Sequence, residues 1–193
     1  MPQKIIIIRH GQTANNKKRI LQGHLDTPLD EEGKAQSHRA AKILKNRKID
    51  VVFSSDLIRA FQTAQIVTKG IVKHIKRTPL LREKYFGKFQ GMTFDEIGSY
   101  LTKFGEQGNF SFRGREKEFG VETEDEVIER ITEFKKMLVT HKGKTIAIFS
   151  HGGFIRRLCI VFGIPKEKIE KVYIPNATPM VLIKKGNTYI LEE

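Results

Sequence analysis

The chain has 193 residues, with 35 Lys and Arg against 22 Asp and Glu, a net charge of +13, 39% hydrophobic and 30% charged residues. That length suits one domain with a sizeable core, and the composition is that of an ordinary soluble protein. No apolar run approaches a membrane span. The apolar stretch at the amino terminus is four residues long and ends in Arg-His, unlike a signal peptide. One cysteine, Cys159, excludes an internal disulfide and fits a reducing compartment, so a cytoplasmic protein is expected. Cys159 lies in an apolar segment and reads as a small core residue rather than a nucleophile.

A basic balance can signal nucleic acid, an anionic membrane or anionic substrates. The chain has no dense arginine block, helix-turn-helix signature or RNA-recognition aromatic motif. Its lysines are spread out, as on a solvated surface, so neither a nucleic-acid nor a membrane partner is expected.

Taken in order, the chain opens with Lys4 followed by four consecutive isoleucines, which read as a strand buried on both faces. The run stops at Arg9-His10-Gly11. In open α/β sheets ligands bind beyond the carboxyl ends of strands, so a fixed cation and a titratable nucleophile stand where such folds do chemistry. Residues 14–25 are polar and basic and read as a loop over that edge, with His24 as polar surface. Asp26 to Asp30 is turn chemistry, and Asp30, Glu31 and Glu32 open a helix that runs to about Asn46.

A second strand is expected over residues 49–55. The helix after it has Asp56 as its plausible cap and Arg59 in its first turn. An arginine there opposes the helix dipole, which makes sense if it faces an anion; a surface arginine on an amphipathic helix is the alternative. A third strand is expected at 73–78. Residues 80–92, with Tyr85, Phe86 and Phe89 and two glycines, read as an ordered loop holding Glu83. Surrounding aromatics would raise the Glu83 pKa, as a proton donor needs, while Arg82 and Lys84 would lower it.

Residues 93–104 look helical. Residues 105–120 are irregular, with four glycines, and read as a lid. Phe104, Phe110, Phe112 and Phe119 suggest lid packing or an apolar pocket wall, and Arg113, Arg115 and Lys117 are candidates for the leaving-group side. Thr123-x-x-Glu126 is a capping box, and Val127, Ile128, Ile131, Phe134, Met137 and Leu138 give the next helix one apolar face. A fourth strand at 145–150 runs into His151-Gly152-Gly153, so two strands each deliver a His-Gly pair to their carboxyl ends. A helix over 153–162 carries Arg156 and Arg157, Pro165 ends that unit, and a closing hairpin turns at Gly186-Asn187. Strands alternate with helices. The expected fold is therefore one α/β domain over residues 1–193, doubly wound, with a mostly parallel sheet, helices on both faces and a small lid at about 84–122.

Arg9-His10-Gly11-Gln12-Thr13, the pattern Ser55-Asp56-Leu57-x-Arg59-Ala60-x-Gln62-Thr63-Ala64, Glu83 with Phe86-Gly87, and Ser150-His151-Gly152-Gly153 together resemble the histidine phosphatase superfamily, also called phosphoglycerate-mutase-like. The resemblance implies His10 as nucleophile, Arg9, Arg59 and His151 as a phosphate clamp, and Glu83 as acid then base. It makes Asn16, Gln22, Gly23 and Gly152 substrate contacts, and places Asn176 near the site. The Gly-Gly-Glu-Ser of many family phosphatases is Gly120-Val121-Glu122-Thr123 here, a partial match in which Glu122 would line the site.

No metal or cofactor is implied, because the arginines and His151 supply positive charge. A metal reading with His10 and His151 as ligands lacks Cys or paired-His spacing. The implied activity is a metal-independent phosphatase acting on a small phosphorylated metabolite, as a monomer or homodimer. The alternative is a 2,3-bisphosphoglycerate-dependent mutase. Mutases have Glu-Arg-His-Tyr-Gly where residues 83–87 read Glu-Lys-Tyr-Phe-Gly, have His-Gly-Asn at 151–153, and are longer. A remote alternative is a non-catalytic basic nucleic-acid-binding module, in which His10 would be dispensable.

Overall fold

The computed structural model describes residues 1–102, 112 and 114–192. Its strands are β1 (Lys4–Arg9), β2 (Val51–Ser55), β3 (Ile75–Thr78), β4 (Thr145–Ser150), β5 (Pro179–Lys185) and β6 (Thr188–Leu191). They form one sheet in the order β3-β2-β4-β1-β5-β6. The pairs β2–β3, β2–β4 and β1–β4 are parallel, and β5 runs antiparallel to β1 and β6. The helices are α1 (Ala14–Lys17), α2 (Glu31–Leu44), α3 (Ile58–Val67), α4 (Phe94–Thr102), α5 (Glu124–Met137), α6 (Gly152–Val161) and α7 (Lys166–Glu170). Among the described residues, no helix is long and apolar enough to cross a membrane.

The isoleucine run explains the layering. Successive side chains of a strand point to opposite faces. Ile5 and Ile7 pack with Val127, Ile131 and Phe134 of α5 and Phe154 and Leu158 of α6. Ile6 and Ile8 pack with Ala40 and Leu44 of α2 and Ala64 and Val67 of α3. The doubly wound α/β architecture is therefore the one expected. Cys159 is buried in the first of these cores, and burial pushes its thiol pKa up to about 12.

A third apolar cluster gathers Leu21, Phe89, Ile97, Leu101, Phe112, Phe119 and Val121. The Phe112 and Phe119 rings both stand 5.3 Å from Phe89, so these two pack within the cluster. Phe104, Phe110 and Arg113 lie outside the described residues.

Three local expectations need correction. The loop after β1 contains the short helix α1, because Thr13 and Asn16 form a reciprocal capping box. Asp56 does not cap α3. The cap comes from Asp26, which accepts the Ile58 N–H at 2.6 Å, while Asp56 takes a two-pronged bond from Arg82 at 2.8 and 2.6 Å. A guanidinium fork outcompetes a single amide for a carboxylate. Pro165 follows the end of α6 as expected, but α7, which starts immediately after it, is not among the expected elements.

One close approach locks the site loop to the scaffold. The backbones of Gly11 and Gly33 meet so tightly that a Cβ on Gly33 would lie 2.1 Å from the Gln12 carbonyl oxygen. Helix propensity alone would favour Gly33→Ala by about 0.8–1.0 kcal/mol. The backbone clash opposes it, and overpacking costs about 1–3 kcal/mol or more. Gly33→Ala should therefore lower the urea midpoint, whereas Gly98→Ala, on α4 with nothing within 4 Å of the added Cβ, should raise it. Stabilisation by both substitutions would contradict the close approach.

Candidate active site

Strands β1 and β4 pair in parallel with Arg9 opposite Ser150. Each strand is followed at once by a His-Gly pair, so the register sets His10 beside His151. Their ring centroids lie 5.2 Å apart, tilted by 56°. The His10 N–H donates to the Ser150 carbonyl at 2.9 Å, extending the ladder one residue into the site.

Both nitrogens of His10 have distinct jobs. Nδ1 lies 2.7 Å from the Gly11 carbonyl, an acceptor only, so Nδ1 carries the proton. Nε2 keeps its lone pair. Burial, then Arg59 and Arg9, hold the His10 pKa well below the ordinary histidine value, so the ring is neutral at pH 7. Its backbone is clamped on three sides. The Gly11 N–H donates to Thr63 Oγ1 at 2.9 Å, Asn176 Nδ2 donates to the His10 carbonyl at 2.7 Å, and the Ala177 N–H donates to the Arg9 carbonyl at 2.9 Å.

Arg59 is 1% exposed, and burial lowers its pKa to about 10, still charged at neutral pH. Its Nη1 and Nη2 donate to the Leu25 and Gly23 carbonyls, both at 2.7 Å, which pins the 22–25 loop over the strand ends. Arg9 Nη1 donates to the Ile174 carbonyl at 3.0 Å. Gly152 makes room for Arg9: a Cβ there would stand 3.3 Å from Arg9 Nε. His151 Nε2 lies 3.0 Å from Ser55 Oγ. Burial, then Arg59, hold its pKa well below the ordinary value. Arg9 Nε, Arg59 Nε and His151 Nδ1 are buried without a hydrogen-bond partner among the described residues. Buried polar atoms are normally paired, and all three belong to residues lining one cavity.

The cavity is about 550 Å³. Arg9, His10, Arg59, Glu83 and His151 all line it, as do Asn16, Gln22, Gly23 and Gly152. Thr13 Oγ1 lies 3.1 Å from both Asn16 Oδ1 and Gln22 Oε1, which leaves the two NH₂ ends as the donors these side chains can offer. Glu83 sits opposite the start of α6. Its Oε2 accepts the Gly153 N–H at 3.0 Å and its Oε1 accepts the Lys84 N–H at 2.9 Å. The cations flanking Glu83 in sequence turn away from it, Arg82 to Asp56 and Lys84 to Glu124.

Several other placements follow only from the structure. Arg19, Phe94 and Arg156 line the cavity, though nothing in their local sequence assigns them a role, and Tyr173 lines it from the segment that the family resemblance places near the site. Asn176 lines it as well. Glu122 and Lys117 line a neighbouring cavity of about 750 Å³ instead. Arg115 is paired with Glu118. His24 is not plain polar surface: its Nε2–H donates to the Glu83 carbonyl at 2.7 Å. Among the described residues no three His, Cys, Asp or Glu side chains gather as metal ligands would.

The buried histidines link stability to pH. Unfolded, each takes up a proton near pH 6.5. Folded, His10 and His151 resist protonation to lower pH. Between those limits the unfolded chain binds more protons, so stability falls as pH drops below about 6.5, by up to about 1.4 kcal/mol per pH unit for each group. Urea titrations from pH 7.5 to 5.5 should show this slope, and His10→Gln should lessen it. Equal slopes in both proteins would contradict a neutral, buried His10.

Comparison with known proteins agrees with this geometry. Residues 5–192 match the histidine phosphatase superfamily, branch 1. The chain is 35% identical to phosphoglycerate mutase-like protein 4 of Arabidopsis thaliana, covering 88% of this chain and 75% of that protein. It is 34% identical to a broad-specificity phosphatase of Saccharomyces cerevisiae, covering 97% and 83%. A mycobacterial glucosyl-3-phosphoglycerate phosphatase solved with VO₃ superposes with a TM-score of 0.82 at 26% identity, covering 98% of this chain and 97% of that one. The chain belongs to the histidine phosphatase superfamily and is an enzyme of that family.

Proposed function

We propose that this enzyme hydrolyses phosphomonoesters of small metabolites through a phosphohistidine formed on His10, without a metal ion. The observation that carries this reading is the state of His10: neutral, proton fixed on Nδ1, and Nε2 free in a cavity that Arg9 and Arg59 also line. A neutral imidazole nitrogen is a competent nucleophile toward phosphorus. Guanidinium groups match the outer oxygens of a phosphoryl group and stabilise its charge in transfer. The unpartnered Arg9 Nε, Arg59 Nε and His151 Nδ1 are suited to those oxygens. Asn16, Gln22 and the backbone at Gly23 and Gly152 complete the cradle in this proposal.

The chemistry takes two steps. The Nε2 lone pair forms an N–P bond while the P–O bond to the leaving group breaks, and Glu83 gives its proton to the departing oxygen. Water then attacks phosphorus as Glu83 takes its proton, the P–N bond breaks, and the electron pair returns to Nε2. Glu83 thus acts as acid and then base. Residues 84–122 serve in the same proposal as the specificity region, and the cytoplasm as the site of action.

The mutase reading has less support. Gly153 donates its N–H to Glu83, and a Cβ at this position would stand 2.9 Å from Glu83 Oε1. The asparagine that mutases carry there would need a small shift of the Glu83 carboxylate, the far end of a flexible side chain.

The test is phosphate release from a panel of phosphate esters, 3-phosphoglycerate included, in EDTA. Wild type should release phosphate, His10→Ala should fall to background, and Glu83→Gln should lose about 10²–10⁴-fold on alkyl phosphates. Isomerisation of 3-phosphoglycerate on addition of 2,3-bisphosphoglycerate, without net phosphate release, would establish the mutase instead. Full activity in His10→Ala would end the phosphohistidine reading.

A further inference from the structure

Glu83 lies in a stretch, residues 82–85, that belongs to no helix or strand. An irregular segment must find partners for its backbone groups outside the regular ladders. Two of its carbonyls, those of Arg82 and Glu83, are met by one side chain on α5, the Glu83 carbonyl being shared with His24 Nε2–H at 2.7 Å. Arg130 Nη1 donates to the carbonyls of Leu80 at 3.0 Å and Arg82 at 3.2 Å, and Nη2 to that of Glu83 at 3.4 Å. Nε and Nη2 also grip the two Glu122 oxygens at 2.6 and 2.9 Å. These contacts use all five N–H groups of a guanidinium. Glu122 passes the hold onward, its Oε2 accepting the Tyr85 N–H at 2.9 Å. The pair is well shielded, with side-chain exposures of 19% and 13%.

We propose that Arg130, braced by Glu122, is the positioning residue for Glu83. It touches neither the Glu83 carboxylate nor the cavity around His10, and it acts by fixing the backbone that carries the carboxylate. This inference rests on the reading of Glu83 as the proton donor. Arg130 holds this place because three carbonyls and a carboxylate must be met at once in one plane. Lysine has three donors on a compact, rotating ammonium and cannot reproduce that fork. The same arrangement gives Glu122, which the partial family motif places at the site, a supporting role behind it.

The test measures leaving-group release in the first turnover, from an alkyl phosphate and from a nitrophenyl phosphate. An alkoxide needs the proton Glu83 supplies, whereas a nitrophenolate leaves without it. Arg130→Lys should slow alkyl release tenfold or more, a part of the about 10²–10⁴-fold that a well-placed general acid supplies. Nitrophenol release should change less than about threefold, far below the general-acid effect. Arg130→Ala should show the same pattern and regain alkyl release when millimolar guanidinium is added, since Arg130 lines the open neighbouring cavity. If Arg130→Lys fails to fold, Glu122→Gln should show the pattern more weakly. Equal slowing of both substrates, or no slowing, in a folded variant overturns the proposal. Glu83→Gln runs beside it. If that variant shows no leaving-group dependence, the assignment of Glu83 fails and the role of Arg130 falls with it. If it does while Arg130→Lys matches wild type, only the positioning role fails.

Discussion

The parallel pairing of β1 with β4 is the constraint on which the rest depends. It places Arg9 opposite Ser150, so that two His-Gly ends emerge side by side. Neither histidine needs a long loop to reach the other, and the last rungs of the ladder hold both backbones. The packing of Gly11 on Gly33, the Thr63 hydroxyl on the Gly11 N–H and the Asn176 amide on the His10 carbonyl then remove the remaining freedom. A side chain held this way stands on rigid elements, as the proposed role of His10 as nucleophile requires.

The electrostatics follow from that burial. Among the described residues, four arginines line the cavity with a single carboxylate, Glu83. Positive surroundings and exclusion of water both disfavour a protonated imidazole, so His10 and His151 stay neutral. The same surroundings favour a phosphate dianion. One arrangement thus keeps His10 Nε2 unprotonated and favours an anionic phosphoryl group beside it, as the proposed chemistry needs. Arg59 is the costly member, a guanidinium almost wholly out of water. Carbonyls of the 22–25 loop solvate it in place of water, and that bonding draws the loop over the site.

How much of this could be read from the amino-acid order depended on how far apart the partners lie. The isoleucine run and the two His-Gly ends were legible because strand burial and strand termini are local signals. The nine candidate site residues were legible through a family pattern, and all nine line one cavity. Asp56 was misread because a local capping rule competes with Arg82, 26 residues on. His24 was misread because its partner, the Glu83 carbonyl, lies 59 residues away. Arg130 gave no signal, since on a helix with one apolar face it looks like any solvated cation. Its function exists only where α5 meets the Glu83 segment. Local chemistry was readable, and second-layer contacts between distant segments were not.

The most direct test of the central claim is to quench the enzyme within its first turnover and look for phosphate bound to protein. The account expects a phosphoryl group that survives base, is lost in acid and maps to the peptide containing His10, with none in His10→Ala. Turnover of the same substrate with no such adduct, or an adduct on another residue, would contradict it.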